Sequence, residues 1–122
     1  MTLSIRLDPA TYSGDEPVGV AAVPKEALPG PLPNEWLQYI PERIWNRILH
    51  LGSAYELHFA AVLEPIVDTV LDPTQCETVD EELRFLAAIL DDDALKSALS
   101  IILGEVAKIR GRSGMALVFS PP

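Results

Sequence analysis

Ala94-Leu95-Lys96-Ser97-Ala98-Leu99-Ser100-Ile101-Ile102-Leu103-Gly104-Glu105-Val106-Ala107-Lys108-Ile109, followed after a short gap by Met115-Ala116-Leu117-Val118-Phe119, is the stretch that decides the fold class. Leu95, Leu99, Ile102, Val106 and Ile109 recur at four, three, four and three residues, the spacing of an amphipathic helix. Ala98, Ile101 and Leu103 broaden the apolar surface well past one stripe. The helix is therefore expected to be central, contacted on more than one side, or to supply a contact between copies. Lys108 and Arg110 complement the negative end of its dipole, and residues 111–114 form an exit turn. Met115, Leu117 and Phe119 then alternate with smaller residues, the period of a strand.

Working back from this helix, Asp91, Asp92 and Asp93 end one helix and cap the next. Val79, Leu83, Leu86, Ala87 and Leu90 make the stripe of the preceding helix, with Thr78 and Glu81 spaced as a capping box at its start. Upstream, Ser53 and Glu56 have the same spacing, so a helix is expected from Ala54, kinked at Pro65 and continuing to Leu71. On it, Glu64, Asp68 and Asp72 would form a carboxylate row at four-residue intervals. Residues 41–51 read as another helix, with Ile44, Ile48 and Leu51 flanked by Trp45 and Leu49, Pro41 at its first position and Gly52 as its stop. Asn34 caps a short turn holding Trp36, Leu37 and Tyr39.

The beginning of the chain is of a different kind. Residues 24–33 contain Pro24, Pro29, Gly30, Pro31 and Pro33, which deprive the backbone of donors and mark an extended connector. Residues 18–23 form a β-branched run, and Leu3, Ile5 and Leu7 alternate with polar residues. The expected architecture is α+β, with about four helices on a small two- or three-stranded sheet formed by the N-terminal and C-terminal strands, residues 3–7 pairing with 115–119. A chain of 122 residues fits a single domain spanning 1–122 and can bury a core without staples.

The lone Cys76 excludes an internal disulfide and fits a reducing compartment, so the cytoplasm is the expected location. No apolar run approaches the roughly 20 residues of a membrane span, and residues 1–8 lack the basic head and apolar centre of a signal peptide.

Charge is unevenly placed. Between Glu64 and Asp93, ten carboxylates stand against one cation, Arg84, a net −9 that equals the charge of the whole chain. Such a surface repels nucleic-acid phosphates and anionic lipid, so neither direct nucleic-acid binding nor a membrane partner is expected, whereas a basic protein is drawn toward it.

Catalytic patterns are missing. His50 and His58 are the only histidines, no serine sits in a glycine-flanked elbow, and Cys76 reads as an idle surface thiol. Zinc, di-iron and EF-hand spacings do not occur. The Gly111–Gly114 loop follows a helix and precedes a strand, the reverse of a phosphate-cradling order. No catalytic residue, metal or cofactor is therefore assigned.

The reading is a small acidic protein-binding module of inhibitor or immunity type, neutralising a basic-surfaced partner of toxin or nuclease class. Its expected binding residues are Glu64, Asp68, Asp72, Asp91, Asp92 and Asp93, with Trp36, Tyr39 and Trp45 as interface aromatics. The alternatives are an assembly subunit oligomerising through Leu95, Leu99 and Ile102 of its C-terminal helix, and a small enzyme using the carboxylates Asp68 and Glu56.

Overall fold

A computed structural model describes residues 16–28, 32–63 and 68–121. The expected strand at residues 3–7, Pro65 with its kink, and Glu64 all lie outside the described residues. The fold is α+β, with β1 (Pro17–Pro24), β2 (Gln38–Pro41), α1 (Glu42–Ala54), α2 (Phe59–Val62), β3 (Thr69–Leu71), α3 (Pro73–Ile89), α4 (Asp93–Ile109) and β4 (Met115–Ser120). The strands form one antiparallel sheet in the order β2-β1-β4-β3. Four strands are thus present where two or three were expected.

Both additional strands are short, and tertiary pairing rather than local pattern makes them. Gln38–Pro41, expected as part of a turn, pairs with β1 in the register Val18 to Ile40 and Val20 to Gln38. Thr69–Leu71, expected as the end of a kinked helix, pairs with β4 through Val70 and Val118. Strand β4 therefore has neighbours on both edges, β1 and β3, which leaves no edge along residues 117–119 for the expected pairing with residues 3–7.

The helical middle departs from expectation in three places. First, α1 runs through Gly52 to Ala54, and Pro41, expected as its first residue, closes β2 as the helix N-cap. A Cβ at Gly52 would lie 2.6 Å from Phe59 Cζ, so glycine is present for the close approach of that ring and not as a stop. Second, Ser53 lies inside α1 and Glu56 has a φ of 57°, so their spacing forms a left-handed turn and not a capping box. Third, Thr78 and Glu81 lie in the interior of α3, whose true capping box is Asp72 with Gln75. Proline at the first position of α3 completes a start that the Asp72-Pro73 pair encodes locally.

Helix α4 matches its expectation closely, with Asp92 as N-cap and a positive φ at Gly111 after its end. It packs between α3 and α1 and against β1 and β4. Leu95, Leu99 and Ile102 are buried in the monomer, so the chain itself covers the face expected to be available to another copy. Trp45 of α1 stacks on Phe119 of β4 with ring centroids 4.9 Å apart, which ties the helical layer to the sheet.

The second face of the sheet is apolar as well. Ala21, Val23 and Val118 pack there against Leu28, Leu32 and Leu37, so the proline-rich connector supplies cover. The outer edge of β1 is closed by a side chain. Glu42 N donates to Glu16 O, which sets the parity of the β1–β2 ladder and aims the N–H of Ala22 past the end of β2. Glu105 of α4, itself buried, accepts that N–H at 3.1 Å and pairs with Lys108 at 2.6 Å. Since Pro24 has no N–H, β1 exposes no free donor along this edge, an arrangement that discourages strand-to-strand association.

No described helix is long and apolar enough to cross a membrane.

Candidate protein-binding face

Several carboxylates of the acidic segment have internal work. Asp68 accepts from Ser120 Oγ at 3.1 Å, joining the start of β3 to the end of β4. Asp72 caps α3 through Gln75 N at 2.8 Å. Buried Asp80 meets Arg84 at 3.0 Å and Arg110 at 3.5 Å, pinning α3 to the end of α4. Asp92 is buried and accepts from Ala94 N at 3.0 Å and Leu95 N at 3.2 Å, while its Oδ2 has no hydrogen bond. Asp91 and Asp93 are exposed.

These positions do not make one patch. Asp72 caps one end of α3 and the three aspartates follow its other end, so a 17-residue helix separates them by roughly 25 Å, while Asp68 stands before β3 beside the end of β4. The expected helical row of Glu64, Asp68 and Asp72 does not form, since Asp68 precedes a strand and Asp72 caps a helix. Trp36, just before β2, and Tyr39, within it, stand 38 % and 45 % exposed, with Tyr39 Oη donating to Asn34 Oδ1 at 3.4 Å. Trp45 is fully buried in the core.

Cys76, expected at the surface, is buried on α3. Burial, and secondarily the negative charge of Asp72, push its thiol up to about 12, so it stays protonated and unreactive at neutral pH. Among the described residues no group of three or more His, Cys, Asp or Glu side chains is placed to hold a metal ion.

What sequence reasoning missed lies between α2 and α3. Glu82 accepts from the backbone N–H groups of His58 at 2.6 Å and Phe59 at 2.9 Å, and its Oε2 lies 3.1 Å from His58 Nδ1. A carboxylate of α3 thus caps a four-residue helix that has no cap of its own, and holds it just off α3. An open cleft of about 550 Å³ results, lined by His58, Phe59, Val62, Gln75, Val79 and Glu81 with Thr78 and Glu82. Val62 on its lip is 42 % exposed. One turn further along α3, Phe85 is 44 % exposed and meets Tyr55 edge-on with centroids 5.6 Å apart. Glu81 is exposed on this face, and Glu56 follows Tyr55 in the adjoining turn. No Lys or Arg is among the residues lining the cleft. The available signal was the exposed Phe85 at a polar position of its helix, but the opposing wall comes from α2, whose place depends on tertiary contacts.

Comparison with protein-family models, with curated proteins and with solved structures finds no match to this chain.

Proposed function

We propose that the protein is a small acidic binding module that docks on a basic-surfaced protein partner, in the manner of an inhibitor or immunity protein directed at a toxin or nuclease. The observation that carries this reading is the α2–α3 face, where Glu81 stands uncommitted beside exposed Val62 and Phe85 with no lining Lys or Arg. Apolar surface flanked by like charge is the composition of an interface whose partner is cationic at the rim and apolar at the centre. The carboxylates bonded inside the chain, Asp72, Asp80, Glu82 and Asp92, contribute to the field but not to direct contacts. Glu77, Glu81 and Asp93 are among the exposed carboxylates and carry charge at the surface.

The test is a capture from host lysate followed by stopped-flow association with the captured partner. Substituting Glu77→Lys, Glu81→Lys and Asp93→Lys together is expected to slow association by about tenfold or more at low salt and to flatten its salt dependence. An association rate indifferent to both salt and the three substitutions refutes the electrostatic reading.

A second reading, self-association, has one observation in its favour. An apolar groove of about 210 Å³, lined by Ile40, Pro41, Ile44, Ala94, Ala98 and Ile101 with Ser97, flanks the outer side of α4. Sedimentation at micromolar concentration distinguishes a monomer from a stable dimer.

A further inference from the structure

We infer that the cleft between α2 and α3 is the anchor pocket for a short amphipathic segment of the partner, one that inserts an aliphatic or aromatic side chain between arginine or lysine residues. This rests on the reading that the partner is basic, and adds where it docks and what it must present.

The geometry selects this occupant in three steps. The cleft has an apolar side made by Phe59, Val62 and Val79 and a polar rim made by Gln75, Thr78, Glu81 and Glu82. Its volume of about 550 Å³ lies within the ordinary range for a recessed binding site. A compact small molecule would fill the cleft and leave Phe85 uncovered, yet Phe85 and Tyr55 continue the apolar surface beyond it along α3. From Gln75 to Phe85 the strip is about 15 Å long, the span of a helical segment of about ten residues or of about five extended ones. The occupant is therefore a length of chain. Its charge follows from exposed Glu81, which lines the cleft with no intramolecular partner among the described residues, and from exposed Glu56, the residue after Tyr55. Lysine or arginine placed a turn from the apolar anchor would meet them, and an acidic segment would be repelled.

Glu82 braces the pocket. Because its carboxylate is occupied by two backbone N–H groups, it holds α2 at a fixed distance from α3 and is not itself free to take a cation. The cleft wall is thus built before any partner arrives, which lowers the ordering cost of binding.

The experiment uses the full chain, isotope-labelled for amide NMR, titrated with three synthetic helical peptides of about ten residues. One is built on Leu and Arg, one replaces its Leu by Ser, and one replaces its Arg by Gln. The Leu/Arg peptide is expected to shift the amides of His58, Phe59, Val62, Val79 and Phe85 and to bind at least about tenfold more tightly than either relative. Val62→Ser and Glu81→Lys, both at exposed positions and checked for intact spectra, should each weaken it by about tenfold, the size of a moderate interface truncation. Equal binding of the Arg/Ser peptide, with Val62→Ser silent, overturns the pocket while leaving the basic-partner reading intact. Equal binding of the Leu/Gln peptide overturns the basic-partner reading itself. No shift in the cleft with any of the three overturns the anchor assignment.

Discussion

Gly52 and Gly104 show how one residue type carries opposite instructions. Both are interior to helices, where glycine costs about 1 kcal/mol relative to alanine. At Gly52 a Cβ would collide with the Phe59 ring at 2.6 and 2.8 Å, whereas at Gly104 nothing lies within 4 Å. Gly52→Ala is therefore expected to destabilise by about 1–3 kcal/mol through overpacking, and Gly104→Ala to stabilise by roughly 0.5–1 kcal/mol. Urea unfolding of the two variants checks both signs. Cys76 supplies a second residue-scale test. Its thiol, pushed up by burial from an ordinary value of 9.0 to about 12, keeps its proton in the native state where the unfolded chain has lost it. Stability from this group is then constant below about pH 9 and falls as pH rises toward 12. Cys76→Ala should lack that component of the alkaline loss, and the native thiol should react with a disulfide reagent only at the rate of unfolding.

At the scale of elements, α2 is the least self-sufficient. Four residues cannot hold a helix in water, and its N-terminal amides depend on Glu82 across the α2–α3 gap. Glu82→Ala removes an acceptor serving two backbone donors, at a cost of about 1–3 kcal/mol. The loss should be local: hydrogen exchange at residues 58–62 is expected to accelerate while exchange in α4 barely changes. Uniform acceleration throughout would mean that α2 is integral to the global fold. The element scale also explains which sequence signals held. α4 and β4 were legible because long periodic segments declare themselves, with Leu95 to Ile109 keeping one stripe through four turns. The helix expected through Pro65 to Leu71 was not, because Thr69, Val70 and Leu71 satisfy helical spacing and strand propensity equally, and pairing with Val118 decides.

Over the whole molecule, charge and cohesion are separable. The net charge of −9 acts against compactness, and the opposing ion pairs, Asp80 with Arg84 and Arg110 and Glu105 with Lys108, have their carboxylates buried and are screened only weakly. Raising salt should therefore raise the thermal midpoint, and a falling midpoint would show that attractive surface pairs dominate. The acidic segment was visible in the sequence as a sum, but its use was not. Asp80 and Glu82 both stand on α3, yet each reaches another element, Arg110 after α4 and the amides of α2.

By itself the sequence determined the α+β class, the central helix α4, the capping role of Asp92 and the strand at 115–119, because periodicity and caps are properties of neighbouring residues. Only the tertiary structure decided that β2 and β3 are strands, that Trp45 is core, that Cys76 is sealed, and that a cleft opens beside Glu81. Each of these depends on partners distant in the chain, whose free energy appears only once the sheet and helices have closed on one another.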